Sequence, residues 1–137
     1  RVVTGRQLYD LTAPPEPLLV VGSGVTGAEF ANAYAELGAA VTVVASRDRV
    51  LPYEDADAAW VLEESFAERG VKLVKNARAQ SVVRTEGGVV VTMTDGRTVE
   101  GSHALMTIGS TPNTDGLGLE RVGIELGRGN HLTVDRV

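Results

Sequence analysis

The 137-residue sequence has no cysteine. That removes a thiolate nucleophile, a C-x-x-C redox pair and a cysteine zinc site from these residues. It leaves the compartment open, because reduced cytosol needs no cysteine and a secreted domain of this size requires none. Lysine is scarce, 2 against 11 arginines, and the arginines are scattered from Arg1 to Arg136 without a run. With no basic arm or stripe, nucleic acid is not an expected partner. No apolar stretch approaches the roughly 20 residues of a membrane helix, and the N-terminus lacks the charged-then-apolar order of a signal peptide. The chain reads as soluble, without a membrane span, and a cytoplasmic location is the expectation. The two histidines, His103 and His131, stand apart without ligand spacing, so no metal site is expected.

What is present is an ordinary globular composition: 43% hydrophobic, 23% charged, and a formal charge of 13 − 18 = −5. A chain of this length can bury roughly 68% of its unfolded surface and build a core without staples. It begins at Arg1 and stops in mid-pattern at Leu132-Thr-Val-Asp-Arg-Val137, so a fragment of a longer protein is expected.

Residues 1–17 end in Thr12-Ala-Pro-Pro-Glu-Pro17. Proline removes ladder donors and forces extended or turn geometry, so this segment reads as a linker. Leu18-Leu-Val-Val21 is a continuous apolar run between proline and glycine, the pattern of a strand buried on both faces. A glycine-rich turn follows over Gly22 to Gly27. Ala28, Ala31, Tyr34 and Leu37 then recur at helical spacing, and Gly38 supplies a left-handed stop. Ala40-Val-Thr-Val-Val44 is a second strand reached after one helix, hence parallel to the first by a right-handed crossover. Glu54 or Asp55 caps a helix over 56–69 with Ala59, Leu62 and Phe66 on one face, and Val71 to Lys75 gives a third parallel strand. Trp60 and Phe66 read as core or interface anchors, and Glu63, Glu64 and Glu68 as the wet face. The rhythm then changes to short β-rich runs, 79–85, 88–94 and 97–100, separated by hairpin signals at Glu86-Gly-Gly88 and Asp95-Gly96. His103 to Ile108 is a further buried strand. Residues 115–137, rich in glycine, read as a connector.

Gly22-Ser-Gly24-Val-Thr-Gly27 fits G-x-G-x-x-G between an apolar strand and an amphipathic helix, and each glycine has a task if a dinucleotide binds. Gly22 turns the strand into the helix, Gly24 lets backbone approach a pyrophosphate, and Gly27 lets helix and strand pack closely. The amides of the first helical turn, at the positive end of the dipole, would hold the phosphates. The competing reading is a tight strand-to-helix connection that binds nothing. The end of the second strand reads Ala45-Ser46-Arg47-Asp48-Arg49. Ala45 stands where an acid would accept from an adenosine ribose, while Ser46 and Arg47, with Arg49 behind them, can donate to a 2′-phosphate. NADP is therefore favoured over NAD, although the same residues also suit a solvated loop. Glu29 fits equally a surface position and one beside a bound nicotinamide.

Val20-Val-Gly-Ser-Gly-Val-Thr-Gly-Ala-Glu-Phe-Ala31, Val50-Leu-Pro52 with acids after it, the β meander and Thr107-Ile-Gly-Ser-Thr-Pro-Asn-Thr114 together resemble the central NAD(P)H-binding domain of the pyridine nucleotide-disulfide oxidoreductase family. Within it the sequence is most similar to the lipoamide-dehydrogenase-like NAD(P)H quinone reductase branch. The resemblance implies a domain inserted into an FAD-binding domain, with a C-terminal domain forming a homodimer. It assigns Gly22, Ser23, Gly24, Val25, Thr26 and Gly27 to the pyrophosphate, with the Val25 side chain towards the nicotinamide. Glu29 goes to the carboxamide and a flavin-side lysine, Ala45, Ser46 and Arg47 to the adenosine end, Ala79 to adenine packing, and Gly109 to close backbone approach. Two departures stand out: members using NAD usually carry glutamate where Ala45 stands, and many carry arginine where Ser110 stands.

The expected fold is an α/β three-layer Rossmann-type domain over 18–114, with a parallel sheet, two main helices on one face and an antiparallel β meander on the other. Residues 1–17 are then the linker from the FAD domain, and 115–137 the connector returning to it. The expected function is to present NAD(P)H for hydride transfer to FAD, a quinone or disulfide being the final acceptor. No residue of this chain is expected to be catalytic, and the fragment alone should not turn over. The alternative is a non-catalytic nucleotide-sensing module of the same fold.

Overall fold

Uninterrupted valine and leucine runs build the middle of the molecule. The structure, a computed structural model, describes residues 1–135; Arg136 and Val137, the end of the expected connector, lie outside the described residues. In chain order it contains β1 (Val2–Val3), α1 (Gly5–Leu8), β2 (Leu18–Val21), α2 (Val25–Glu36) and β3 (Val41–Val44). There follow α3 (Ala56–Glu68), β4 (Lys72–Val74), β5 (Ala79–Arg84), β6 (Val89–Met93), β7 (Thr98–Gly101) and β8 (His103–Met106). Two 3-10 turns, Leu119–Val122 and Arg128–Asn130, lie in the exposed C-terminal segment.

Five strands form a parallel sheet in the order β1-β8-β2-β3-β4, and β5-β6-β7 form an antiparallel sheet. Strand side chains alternate between faces, which divides the core in two. Leu18 and Val20 join Val41, Val43 and Leu105 in packing against Ala28, Ala31 and Phe66 of the helices. Leu19, Val21, Val44 and Ala104 pack instead against Val89, Val91 and Met93 of the meander. The result is the expected three-layer arrangement, helices, parallel sheet and meander.

The helix boundaries follow their caps. Asp55 Oδ1 accepts from the amides of Asp57 (3.0 Å) and Ala58 (3.1 Å) at the start of α3. Gly38 (φ 88°) and Gly70 (φ 77°) end α2 and α3 in the left-handed region, where a side chain would be strained. Among the described residues no helix is long and apolar enough to cross a membrane.

Three expectations change. Residues 1–17, read as a linker, supply β1, which pairs Val2 with Ala104 and Val3 with Leu105, and α1, whose Leu8 is buried in the helix-side core. The prolines that suggested a linker all follow these elements, and a two-residue strand has no period to read. Leu37 caps α2 beyond its apolar stripe and is exposed. Trp60 is 60% exposed, whereas Phe66 is fully buried, so only the latter anchors the core.

Candidate nucleotide site

The carboxyl ends of the parallel strands all open on one edge of the sheet. From β2 the chain crosses through α2 to β3 on one side, while β8 lies on the other. Such a reversal of winding leaves a crevice at the end of the middle strand, where ligands of open α/β sheets are bound. The glycine motif occupies that place.

The three motif glycines are glycine for different reasons. Gly22 turns at φ 118°, and a Cβ there would overlap the carbonyl of Thr107. A Cβ on Gly27 would overlap the carbonyl of Gly22. Packing of strand, turn and helix therefore accounts for both. Gly24, the N-cap of α2, has φ −72°, and a Cβ there would meet nothing within 4 Å. No packing contact requires a glycine at that position. Beside it, Ala28 makes the first bond of the helix, to Gly24 O at 2.9 Å, so the amides of Val25, Thr26 and Gly27 precede the intrahelical ladder.

The turn is braced by Thr107, whose hydroxyl lies 3.0 Å from the Val21 carbonyl and 3.2 Å from that of Gly22 and donates between them. A second brace comes from the loop after β3. Leu51 N donates to Ser23 O at 2.8 Å, and Ser23 Oγ donates to Arg49 O at 3.4 Å. Leu51 adopts φ 50°, a conformation uncommon outside glycine and asparagine. The loop is pinned from α3 as well. Glu63 Oε1 accepts from Val50 N at 2.8 Å and Oε2 pairs with Lys75, leaving the carboxylate side chain 12% exposed. Glu63 is thus not on the wet face expected for it: helical spacing cannot register a loop folded over the residue.

A cavity of about 480 Å³ opens here, lined in part by Gly22, Ser23, Gly24, Ser46, Arg47, Ala79 and Gly109. Seven of the expected residues thereby meet in one place. Val25, Thr26 and Glu29 lie exposed on the first turns of α2, beside the cavity and not in its wall. Gly27 is buried beneath the turn. Ala45 is buried in the sheet, its amide donating to Val74 O (2.9 Å) and its carbonyl accepting from Ala77 N (2.8 Å). Arg49 differs from the expectation that it could reach a phosphate: its Nη2 donates to the carbonyls of Pro52 (3.2 Å) and Glu54 (3.4 Å) and holds its own loop. Among the lining residues that sequence reasoning did not assign to the site are Tyr53, which is 84% exposed, and Arg78. Tyr53 follows the Val50-Leu-Pro52 motif and Arg78 precedes Ala79, so adjacency was the one available signal.

Comparison with known proteins agrees with this geometry. The profile of the pyridine nucleotide-disulphide oxidoreductases matches residues 1–137. The NAD(P)H dehydrogenase (quinone) of Mycobacterium tuberculosis is 80% identical over 137 residues, 100% of this chain and 28% of that protein. The crystal structure of LpdA from the same organism superposes with a TM-score of 0.85 at 80% identity, covering 98% of this chain and 29% of its own. An engineered water-forming NADPH oxidase bound to NADPH, made from a Lactobacillus brevis NADH oxidase, gives a TM-score of 0.78 at 27% identity, covering 95% of this chain and 28% of its own. The chain thus spans under a third of the length of these relatives. With the motif, the crevice and the full-length profile match in agreement, the chain belongs to the pyridine nucleotide-disulphide oxidoreductase family.

Proposed function

We propose that this chain is the NAD(P)H-binding domain of a longer FAD-dependent oxidoreductase, and that the cavity at the end of β2 receives the dinucleotide. The observation that carries the reading is Gly24. Its missing side chain serves no contact within the chain, yet it leaves the start of α2 bare where a pyrophosphate would meet the free amides and the positive end of the helix. Gly22, Ser23 and Thr26 belong to the same cradle. Val25 and Glu29 lie towards the nicotinamide end, and Gly109 lets the backbone come close to the ligand. This chain's residues would hold the phosphates, orient the nicotinamide ring and set the charge around it, and the group so held would supply hydride chemistry towards a flavin. The FAD-binding and dimerisation domains, the homodimer, the cytoplasmic location, and a quinone or disulfide as final acceptor all belong to the longer protein and form part of the proposal.

For the adenosine end we favour NADP over NAD. Ala45 offers no carboxylate to a ribose, Ala79 gives a small apolar surface for adenine, and Ser46 and Arg47 are exposed donors on the cavity wall. The engineered NADPH oxidase supports the same reading, because its changes include aspartate to alanine, alanine to arginine and methionine to serine at three consecutive positions. Alanine, serine and arginine are the residue types found here at Ala45, Ser46 and Arg47.

The test is Gly24→Val, titrated calorimetrically with NADPH and NADH. A branched side chain would fill the pyrophosphate's place without touching the fold, so both nucleotides should cease to bind while the circular dichroism spectrum is retained. Unchanged affinity in a folded variant would overturn the assignment.

A further inference from the structure

The cavity wall carries two full charges, those of Arg47 and Arg78, and no carboxylate, in a chain whose acids outnumber its bases 18 to 13. Arg69 pairs with Glu36, Arg97 with Asp95, and Arg49 holds backbone carbonyls, while Arg6, Arg84, Arg121 and Arg128 lack a partner among the described residues but do not line the cavity. The guanidinium groups of Arg47 and Arg78 form neither a hydrogen bond nor an ion pair among the described residues. Yet the backbone beneath them is fixed. Asn76 N donates to Arg47 O at 3.0 Å, Ala77 N to Ala45 O at 2.8 Å, and Thr94 N to Arg78 O at 2.9 Å. Arg97 Nη2 donates to the carbonyls of Lys75 (3.3 Å) and Asn76 (3.1 Å), gripping the turn from the meander side. The two arginines therefore project from segments stapled to each other, rooted rigidly and free at their tips.

We infer that Arg78 is a specificity-determining residue, a second cationic arm that with Arg47 closes on a phosphate monoester on the adenosine ribose. The inference rests on the dinucleotide reading above and extends it from the strand-end loop to the turn before β5. At the β2 end, helix amides can answer the charge of a pyrophosphate. The arginines stand further out, at the β3 and β4 side of the sheet, where a dinucleotide without a third phosphate would leave two uncompensated cations. A phosphate monoester carries close to two negative charges near neutrality and accepts from two guanidinium forks at once.

The experiment titrates the intact flavoprotein calorimetrically with adenosine 2′,5′-bisphosphate and with 5′-AMP. Wild type, Arg78→Ala, Arg78→Lys and Arg47→Ala are compared at two salt concentrations. Loss of a charged contact should weaken the bisphosphate about tenfold or more in Arg78→Ala, leave 5′-AMP unchanged, and flatten the salt dependence of bisphosphate binding. Arg78→Lys should recover part of the loss. Equal weakening of both nucleotides would mean that Arg78 covers the base, and would overturn the proposal. So would bisphosphate affinity undiminished in Arg78→Ala; if Arg47→Ala then still weakened it selectively, the dinucleotide reading would stand and the second arm alone would fall. Binding of neither nucleotide by wild type would overturn the dinucleotide reading itself.

Discussion

Single side chains at the strand-to-helix turn separate what the fold requires from what a ligand would require. Gly22→Ala would strain a backbone at φ 118° and press a methyl group into the Thr107 carbonyl, and Gly27→Ala would press one into the Gly22 carbonyl. Each should cost about 1–3 kcal/mol of stability. Gly24→Ala, projecting into open space, should lower the midpoint of urea unfolding less than either, by no more than the preference for glycine over alanine at a helix N-cap. Equal losses at all three positions would show that Gly24, too, serves the fold. Thr107→Val tests the brace on the turn. The Gly22 carbonyl would lose its hydroxyl partner, for an expected loss of about 1–3 kcal/mol in the same urea titration. The motif glycines and the Ala45-Ser46-Arg47 segment were legible in the sequence because their spacing from the strand ends is fixed by the βαβ unit. Arg78, Tyr53 and the inward role of Glu63 were not, since each depends on a turn or loop brought across from another element, which leaves no period in its own neighbourhood.

At the scale of elements, the loop from Ala45 to Asp55 is held from the helix side by Glu63, which reaches from α3 to the Val50 amide and to Lys75. Glu63→Ala would leave the amide of Val50, a fully buried residue, without its acceptor and Lys75 without its partner. A loss of about 1.5–3 kcal/mol is expected, the range for a hydrogen bond to a charged group, and amide hydrogen exchange should rise at Val50 and Leu51 before it rises in β3. Protection unchanged at Val50 would show that the loop holds itself. The strands and helices of the central βαβαβ run were readable from apolar period and glycine stops, and the meander from its hairpin signals. The contribution of residues 1–17 was hidden by the brevity of β1 and α1. Deleting residues 1–11 removes both, uncovers β8 as a sheet edge and should promote self-association, because an unpaired edge is a template for another strand. Sedimentation velocity of the shortened chain checks this, and a monomer at all concentrations would count against an edge role for β1.

For the molecule as a whole, acid stability gives a further expectation. Burial pushes the His103 imidazole below the ordinary histidine value of 6.5, with the charge of Arg1 acting in the same direction. The folded state thus binds the proton less readily than the unfolded chain. The contribution of this residue is complete above pH 6.5 and is lost as pH falls through the folded value. Titration of the His103 ring followed by NMR should show a midpoint under 6.5, and His103→Gln should lessen the decline of stability on the acid side. A midpoint at or above 6.5 would refute the burial argument. The pairing of β1 with β8 also has a kinetic side. Val2 lies opposite Ala104, so β1 has no partner in the sheet until the residues between them have been made. Closing so long a loop is slow, and its entropy must be met before the contact is gained. Though first along this chain, β1 should therefore be among the last of its strands to find its place, joining a sheet whose other members have already assembled.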